Sequence, residues 1–473
     1  MKKEIASSEK NGTWEEVELP HGKKALDVKW VRKKPDGTFK ARLVVRGFQQ
    51  NDDLDDIYSP VARMCTLKLL LSYCCQGSYT IHQMDVETAF LNGPKVSEVY
   101  VKQPVVHVNI NDNGNKVSHL KKSLNGLKES PRNWYKCFNN FIVTSGFERN
   151  NFDCSLYSTT DKVNPIFIIL FVDDLLICGK EVKKINQMKR KLSEYFSMKD
   201  LNNVSSYLGI ELNHDVENNV MTLSQEKYIE SLATKYNIKD LNLFDTHIET
   251  HLKLKRATEP DFNVEFRNLI GALLYVSAGT RPDVTYSVNY LSRFQAAYDR
   301  THYNYASRVL KYLYKTRKLK LTFCSSNLAG LDVYVDSDWA GDAVDRSNPV
   351  LGKTQKRGHI TKLSTHTEYI SLSEAVTEVI YLLGVCKQLL PSESIQPVSI
   401  FEDNLGAVCI ANLGNFTKKS KHIGVHYHFV HEAIKRGQIE VVKVDSADNL
   451  ADIFTKSLTK HLYVNLRILL CLC

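Results

Sequence analysis

The chain has 473 residues, of which 43% are hydrophobic and 24% are charged, and this is ordinary for a soluble globular protein with a sizeable core. That length predicts more than one domain. The formal net charge of +9 is compatible with a polyanionic partner but does not identify one. No C-x-x-C pair or Cys/His cluster is present in the sequence, which argues against structural zinc.

The start of the chain and its run Pro165–Val172 lack the patterns of a secretory signal and of a membrane span. The opening stretch MKKEIASSEKNGTW lacks an apolar core, and the apolar run Pro165–Val172 is far too short to cross a bilayer. We therefore expect an intracellular protein that is not secreted and has no membrane partner, with its cysteines reduced.

The first predicted elements are two strands joined by a turn at residues 35–37 (PDG). In the second strand, alternation places Lys40, Arg42 and Arg46 on one face and apolar side chains on the other. A strand with three cations on one face is either a solvated edge or a grip for a polyanion. The pattern alone leaves both interpretations open.

Regular elements follow along the rest of the chain. Helices are predicted in CTLKLLLSYCC and from Pro131 onwards. The segment FIILFVDDLLICG then has the pattern of two strands joined by a turn, and a third helix is predicted in KKINQMKRKLSEYF. SYLGIELNHD and NVMTLSQ have the pattern of strands, and residues 228–313 are mostly helical. Near Leu331 strands return and alternate with helices, which predicts a separate α/β unit beginning near residue 325.

Two adjacent carboxylates, Asp173 and Asp174, lie between two apolar runs in ILFVDDLLICG. Two neighbouring charges are costly inside a core, so we expect them at the solvent-facing tip of a hairpin. An Asp-rich turn is one explanation. A metal site is the other, because Asp85 ends another apolar strand, and three carboxylates at strand ends suit two Mg²⁺ ions about 4 Å apart, as in nucleotidyl transfer.

With these motifs in place, the sequence resembles the reverse transcriptase–ribonuclease H part of the Pol polyprotein of copia-type LTR retrotransposons. The resemblance covers nearly the whole chain, from about Trp14 to Leu469, in the family's order. The motifs that carry it are KARLVVRGFQQ, IHQMDVETAFLNG, SLNGLKESPRNWY, FVDDLLICG, YLGIEL, GALLYVSAGTRPDVTYSVNYLSRF, VYVDSDWAGD, TEYISLSEA, EDNLGAVCIA, KHIGVHYHF and NLADIFTKSL. Since no protease or integrase core precedes them, the chain looks like a truncated copy.

The resemblance implies an α/β and α+β multidomain fold. Fingers and palm of a reverse transcriptase would occupy residues 1–225, a mostly helical thumb or connection residues 226–325, and a ribonuclease H-like α/β domain lacking part of its sheet residues 326–473. The implied activity is Mg²⁺-dependent, RNA-directed DNA synthesis, with an appended ribonuclease H that cleaves RNA in RNA–DNA hybrids. Implied partners are an RNA template, a DNA primer, the hybrid and deoxynucleoside triphosphates. The implied location is the cytoplasm, in virus-like particles, from which the protein could also enter the nucleus.

Carried over by residue, the resemblance assigns Asp85, Asp173 and Asp174 to the polymerase metal site, with two Mg²⁺ ions. Phe90 would lie against the sugar of the incoming nucleotide, although core packing explains it equally. Lys40 and Arg42, and less clearly Arg46, become candidates for binding the triphosphate. SLNGLKESP would line the nucleotide and template floor, and the turn at residues 207–209 would grip the primer.

A second carboxylate set in the C-terminal part matches the ribonuclease H pattern and would also hold two Mg²⁺ ions. Its members are Asp336, Glu368, Asp403 and Asp452. His422 would help to deliver water or release product, or is a surface histidine. Asp338 and Asp342 are interpreted as solvated loop residues, and Glu402, beside Asp403, is left out of the site.

Four substitutions and one shortened segment depart from the family pattern. Asn125, Glu129, Phe171 and His366 stand where Tyr, Gln, Tyr and Glu are usual. We expect Glu129 to place an anion beside the template channel and to weaken backbone binding. The segment between Asp345 and Ser364 is roughly ten residues short, which predicts the loss of about two strands and an exposed sheet edge.

The rival hypothesis is a catalytically inactive remnant that at most binds nucleic acid. Intact carboxylates favour the enzyme, whereas the shortened segment and the missing upstream domains favour the remnant. An unrelated Mg²⁺ nuclease or phosphatase does not explain two carboxylate clusters together with Phe90.

Overall fold

The computed structural model describes residues 1–33, 40–50, 57–93, 97–104, 116–161, 163–238, 243–324, 331–337, 347–350, 353–356, 364–389, 397–413 and 424–472. By compactness the chain forms two units, Met1–Arg63 with Thr80–Val204, and Met64–Tyr79 with Ser205–Cys473. The functional division at residues 225 and 325 stays a prediction.

The helices of the described residues are α1 (Lys2–Lys10), α2 (Met64–Gln76), α3 (Ser130–Thr144), α4 (Val182–Tyr195), α5 (Glu226–Lys235), α6 (Phe266–Gly279), α7 (Thr285–Ser292), α8 (Arg300–Lys315), α9 (Ser364–Leu389), α10 (Leu405–Leu413), α11 (Gly424–Lys435), α12 (Asp452–Thr455) and α13 (Lys460–Leu469). The strands are β1 (Trp14–Glu18), β2 (Ala25–Leu26), β3 (Val28–Lys33), β4 (Lys40–Val45), β5 (Thr80–Val86), β6 (Tyr100–Lys102), β7 (Lys116–Leu120), β8 (Phe147–Arg149), β9 (Leu156–Thr159), β10 (Phe167–Phe171), β11 (Asp174–Gly179), β12 (Met198–Asn203), β13 (Ser206–Tyr207), β14 (Ile210–Asp215), β15 (Val220–Ser224), β16 (Leu321–Cys324), β17 (Asp332–Val335), β18 (Ser347–Val350), β19 (Lys353–Lys356), β20 (Val398–Glu402) and β21 (Ile439–Lys443).

The first unit is built on an antiparallel sheet in the order β12-β5-β11-β10-β9-β8. Its strands β10 and β11 come from two apolar runs, and nearly every residue in them is buried. On one face Ile168 and Ile177 share a core with side chains of α3 and α4. Pro131 lies in the first turn of α3, where a missing N–H and a fixed φ are tolerated. The predicted hairpin and both predicted helices are confirmed.

Strands β3 and β4 pair antiparallel from Val28 opposite Val45 to Lys33 opposite Lys40, which confirms the two predicted strands. Their predicted turn at residues 35–37 lies outside the described residues. Leu43 and Val45 are buried while Arg42 is exposed, as the alternation predicted. A further sheet of this unit has the order β1-β7-β6-β2.

The second unit has three parts. Helix α2 packs on the sheet β13-β14-β15-β16, and helices α5 to α8 form a large apolar core. A parallel sheet in the order β17-β20-β21 packs with α9, α10 and α11 around a core of its own, so the predicted strands and helices are present. By compactness they belong to the same unit as residues 205–324 rather than to a separate one. The C-terminal residues Ile453 and Tyr463 are buried in the helical core rather than in the core of this sheet.

Among the described strands, β17 has one hydrogen-bonded neighbour, β20, so the parallel sheet ends at β17. Strands β18 and β19 pair with each other as a separate antiparallel ribbon. Other parts of the shortened segment, residues 345–346, 351–352 and 357–363, lie outside the described residues. In the part of the chain that is described, the first strand of this unit therefore has an open edge.

One helix among the described residues, α9, is long and apolar enough to cross a membrane by length and composition alone. However, 61% of its apolar window is buried inside the protein. Tyr369, Leu372, Val376 and Val379 of this helix belong to the same core as the parallel strands. These contacts are those of a core helix in a layered α/β unit.

Candidate active sites

Asp85 and Asp174 lie directly opposite each other on the antiparallel strands β5 and β11. Such residues have Cβ atoms about 4.5–5.5 Å apart, so their side chains interact. Asp173 comes just before Asp174, in a two-residue loop with Val172 that joins β10 to β11. Asp174 is therefore the first residue of β11 rather than part of the turn. The structure brings together the three carboxylates that the sequence predicted to converge.

The electrostatics of Asp174 reflect this crowding. Burial, followed by the negative charges of Asp173 and Asp85, raises the pKa of Asp174 to about 6. The Gln83 amide donates a hydrogen bond to Asp174 Oδ1 at 3.4 Å and partly offsets the rise in pKa. Carboxylates that repel one another in this way favour a bound cation, and their oxygen atoms are the ligands that Mg²⁺ prefers.

The hairpin tip is held from two sides. Val172 has a φ of 58°, in the left-handed region that β-branched residues avoid. Its carbonyl oxygen accepts a 2.6 Å hydrogen bond from Trp134 Nε1, and the Asp173 carbonyl accepts one of 2.8 Å from the Val86 N–H. A strained backbone of this kind costs about 1–3 kcal/mol and persists only where its surroundings fix it. These bonds set the direction of the Asp173 side chain.

Arg42 reaches the carboxylate site from β4. Its guanidinium Nη2 lies 3.5 Å from Asp173 Oδ2, and its side chain is 66% exposed. The face of β4 that carries Arg42 therefore borders the acidic site. Arg46 is also exposed, while the side chain of Lys40 lies outside the described residues. Phe90 is partly buried in a 3-10 turn after β5 and packs against the core that contains Trp134.

The segment SLNGLKESP lies beside the end of β4. The Val45 N–H donates a hydrogen bond to the Asn125 carbonyl at 2.8 Å. A Cβ on Gly47 would lie 2.0 Å from the Gly126 carbonyl oxygen, and one on Gly126 would lie 2.1 Å from the Val45 carbonyl oxygen. The two backbones therefore touch at positions where only glycine fits. This contact keeps the segment next to the strand that carries Arg42.

The expectation for Glu129 in this segment is wrong. Glu129 is 4% exposed, so it does not add an anion to a surface that nucleic acid could reach. Its carboxylate accepts hydrogen bonds from Gln50 Nε2 at 3.1 Å and from the Ser97 hydroxyl. Buried carboxylates need such donors. Through these hydrogen bonds Glu129 links the segment to Gln50 and Ser97 inside the first unit.

A second acidic cluster lies in the second unit, where two parallel strands end. Asp336 follows β17, Asp403 follows β20, and Glu368 comes from the first turns of α9. One carboxylate oxygen from each of the three lies within 4.8 Å of the others. Asp336 is 2% exposed and Glu368 6% exposed. The carboxyl ends of parallel strands share one edge of a sheet, and this explains why residues far apart in sequence meet here.

Burial dominates the electrostatics of this cluster. It raises the pKa of Asp336 to about 6, with Asp452 adding to the rise and Lys456 opposing it. It raises the pKa of Glu368 to about 9, with the charges of Glu402 and Asp336 adding to the rise. Glu368 Oε2 is buried, with no hydrogen-bond donor among the described residues. A buried, unpaired carboxylate oxygen beside other carboxylates fits a hard cation such as Mg²⁺.

The fourth predicted carboxylate, Asp452, shares an ion-pair partner, Lys456, with Asp336 of the cluster. Lys456 Nζ lies 2.7 Å from Asp452 Oδ1 and 3.2 Å from Asp336 Oδ2. The sequence analysis missed Lys456, although its spacing of four residues from Asp452 within one helical turn was a usable signal.

Glu402 was left out of the predicted site, yet it is fully buried beside it. Burial raises its pKa to about 8, and the charges of Asp403 and Asp336 contribute to the rise. Alternation along VSIFE puts Glu402 on the same face as the buried Val398 and Ile400, which was a usable signal. The predicted roles of His422, Asp338 and Asp342 fall on residues outside those described.

The turn at residues 207–209 joins strands β13 and β14 of the second unit, with Tyr207 paired to Ile210. Tyr275 donates a 2.5 Å hydrogen bond to the carbonyl oxygen of Leu208. The turn is therefore fixed to helix α6, which is compatible with a structural role as well as with the predicted contact to a primer.

The chain is similar to several known proteins. A family model described as reverse transcriptase (RNA-dependent DNA polymerase) matches residues 11–250. The retrovirus-related Pol polyprotein from transposon TNT 1-94 of Nicotiana tabacum is 32% identical over 98% of this chain and 36% of its own length. That from transposon RE1 of Arabidopsis thaliana is 31% identical over 98% of this chain and 33% of its own length. The putative transposon Ty5-1 protein of Saccharomyces cerevisiae is 35% identical over 63% of this chain and 100% of its own length.

The chain therefore belongs to the reverse transcriptase (RNA-dependent DNA polymerase) family. Its similarity to the plant polyproteins confirms the predicted relation to the Pol polyprotein of copia-type retrotransposons. The chain spans about a third of the length of those polyproteins. A solved foamy viral protease–reverse transcriptase in complex with an RNA/DNA hybrid aligns at a TM-score of 0.48 and 12% identity, over 96% of this chain and 54% of that chain. A likeness at that level carries no argument about the site.

Proposed function

We propose that the chain synthesises DNA on an RNA template at the site of Asp85, Asp173 and Asp174. The observation that carries the proposal is the pairing of Asp85 with Asp174 across β5 and β11, next to a fixed tip that presents Asp173. Two Mg²⁺ ions held by these carboxylates would activate the primer 3′-hydroxyl and neutralise the leaving pyrophosphate. By holding the two ions, the carboxylates would keep the reacting groups in place, and the fixed hairpin tip would limit the movement of Asp173.

Arg42 and Phe90 would act on the incoming deoxynucleoside triphosphate. The guanidinium of Arg42 is exposed and already lies beside Asp173, so it can exchange part of that contact for a phosphate. Lys40 would add a second cation. Phe90 follows Asp85 by five residues, and its ring would exclude a ribose 2′-hydroxyl. In the corresponding architecture, residues 1–225 form fingers and palm and residues 226–325 form a thumb or connection.

We further propose a ribonuclease H-like domain at residues 326–473 that cleaves RNA in RNA–DNA hybrids. It is supported by the convergence of Asp336, Glu368 and Asp403 at the end of a parallel sheet, with Asp452 beside them. The open edge at β17 is the observation that favours the rival hypothesis of an inactive remnant, because a shortened sheet holds its carboxylates less firmly.

The full set of proposed partners is an RNA template, a DNA primer, their hybrid and deoxynucleoside triphosphates. We propose a cytoplasmic location in virus-like particles with nuclear access. The mild excess of positive charge on the chain is compatible with binding these polyanions.

Primer extension on an RNA template with Mg²⁺ tests the polymerase. We expect extension by the wild-type chain and none by Asp173→Asn. Asp161→Asn is the matched control, because Asp161 is an aspartate of the same unit that pairs with Lys184. Absence of extension by soluble, folded wild type would support the remnant, and extension by Asp173→Asn would refute the metal assignment. Cleavage of an RNA–DNA hybrid, with Asp403→Asn as the inactive variant, tests the second site separately.

A further inference from the structure

The second carboxylate cluster already contains a cation of its own. The ammonium group of Lys456 lies between Asp452, at 2.7 Å, and Asp336, at 3.2–3.3 Å from the two oxygens. Both carboxylates are more than nine-tenths buried as residues, at 6% and 2% exposed. The single positive charge of Lys456, whose side chain is 41% exposed, offsets one of the two negative charges, so its removal leaves both buried carboxylates without a cation.

Lys456 is positioned by the backbone that carries it. Its N–H donates a 3.0 Å hydrogen bond to the Asp452 carbonyl, which places it one turn after Asp452. The helix between them is anchored by Ile453, which is fully buried in the helical core of the second unit. The lysine and Asp452 therefore approach Asp336 together, from an element fixed outside the parallel sheet.

The remaining carboxylates form a separate ligand set. Oxygen atoms of Asp336, Glu368 and Asp403 lie within 4.8 Å of one another, and Glu368 Oε2 has no donor among the described residues. Such a set suits one divalent cation. A second cation beside Asp336 and Asp452 would compete with the Lys456 ammonium, which lies 3.2 Å from Asp336 Oδ2 and 2.7 Å from Asp452 Oδ1.

We propose that this site binds one divalent cation and that the Lys456 ammonium replaces the second. The inference rests on the ribonuclease proposed above, and it narrows the expected two ions at this site to one. One ion is held by Asp336, Glu368 and Asp403, while Lys456 keeps Asp452 in place and supplies a single positive charge on its side of the cluster.

Counting bound Mn²⁺ by electron paramagnetic resonance tests the proposal directly. The full chain is used with Asp85→Asn and Asp173→Asn, so that the polymerase site does not contribute. We expect one tightly bound ion per chain with Lys456 present and two in Lys456→Met. Lys456→Arg keeps the charge and should retain one ion. Lys460→Met is the matched control, because Lys460 is four residues further on and pairs with Asp245 instead.

Two bound ions in the chain that contains Lys456 would overturn the proposal. So would one bound ion in Lys456→Met, provided that this variant melts at the same temperature as the control Lys460→Met. If Lys456→Met does not fold, Lys456→Gln gives the same comparison with a side chain that can still donate to Asp452. Hybrid cleavage is measured on the same samples. If the chain that contains Lys456 binds one ion but does not cleave the hybrid, the lysine inference stands and the ribonuclease proposal is refuted. If that chain binds two ions and cleaves the hybrid, the ribonuclease proposal stands and the lysine inference is refuted.

Discussion

Trp134 donates its indole N–H to the carbonyl oxygen of Val172 at 2.6 Å, so helix α3 holds the hairpin tip that carries Asp173. The tip contains a valine at a φ of 58°, a conformation that the free chain avoids. Because the loop has only two residues, any relaxation of Val172 changes the direction of Asp173. The geometry of the proposed polymerase site thus depends on a side chain that is not itself acidic.

Trp134→Phe should therefore reduce kcat of single-nucleotide primer extension by about 10–100-fold, since a displacement of about 1 Å is enough for such a loss. Loss of the hydrogen bond and of part of a buried ring should lower the free energy of unfolding by about 1–3 kcal/mol. Trp14→Phe is the control, because Trp14 packs against a different core of the same unit. An unchanged kcat in folded Trp134→Phe would show that the tip does not need this bond.

Arg42→Ala should raise KM for the deoxynucleoside triphosphate by about 10-fold or more, because charged hydrogen bonds to phosphate contribute about 1.5–3 kcal/mol each. Stability should change by less than about 1 kcal/mol, since the contact with Asp173 is exposed. Steady-state extension at varied nucleotide concentration measures the effect. Arg190→Ala, an exposed arginine of α4, should leave KM unchanged. Equal KM values for the two variants would remove Arg42 from the nucleotide site.

The raised pKa of Asp174 predicts a pH-dependent stability in the absence of metal. Its folded-state pKa is about 6, above the usual 3.8, because of burial and the charges of Asp173 and Asp85. Protonation therefore favours the fold. The ionised form destabilises the fold increasingly as pH rises from about 4 to about 6, and the effect is constant above that range.

With EDTA present, Asp174→Asn should thus melt at a higher temperature than wild type at pH 8 and at the same temperature below pH 4. The control Asp161→Asn should show the opposite sign at pH 8, because the hydrogen bond from Lys184 holds the pKa of Asp161 below its usual value. Adding Mg²⁺ should raise the melting temperature of wild type more than that of Asp174→Asn. A variant that is less stable than wild type at pH 8 would contradict the electrostatic argument.

Local patterns in the sequence were sufficient to predict the elements that carry the carboxylates of the proposed polymerase site. Two apolar runs interrupted by Asp173 and Asp174 can bury their side chains only as a hairpin with the acidic pair at its end, and Pro131 marks the start of α3. That Asp85 lies opposite Asp174 depends on strand register, which no local pattern gives. The family resemblance supplied that link.

Other parts of the sites depend on tertiary contacts and could not be read from the chain. Glu129 is buried because Gln50 and Ser97 happen to provide donors from distant segments. Lys456 joins Asp336, which lies 120 residues away in sequence, because the helix between Asp452 and Lys456 packs outside the sheet. Charged residues are usually solvated, so sequence patterns alone favour the surface for all of these side chains.

The helical core of the second unit contains a buried ion pair that the sequence analysis did not anticipate. Arg281 and Asp283 are both fully buried, and the guanidinium donates two hydrogen bonds, of 2.9 and 2.7 Å, to the carboxylate. The hydroxyl groups of Tyr312 and Tyr463 donate to Asp283 Oδ2 at 2.7 and 3.2 Å. Since Tyr463 belongs to α13, this network ties the C-terminal helix to helices that lie far earlier in the chain.

Arg281→Met should lower the free energy of unfolding by about 3–5 kcal/mol, because it leaves the Asp283 carboxylate buried without its partner. Tyr463→Phe should cost about 1.5–3 kcal/mol, the usual contribution of one hydrogen bond to a charged group. Arg317→Met is the control, because Arg317 forms a partly exposed pair with Glu230 and should cost less than about 1 kcal/mol. Denaturant unfolding of the full chain measures all three variants. If Arg281→Met costs no more than Arg317→Met, the buried pair does not stabilise this unit. The attachment of α13 then rests on other contacts, such as the apolar contacts of Leu466 and the ion pair between Lys460 and Asp245.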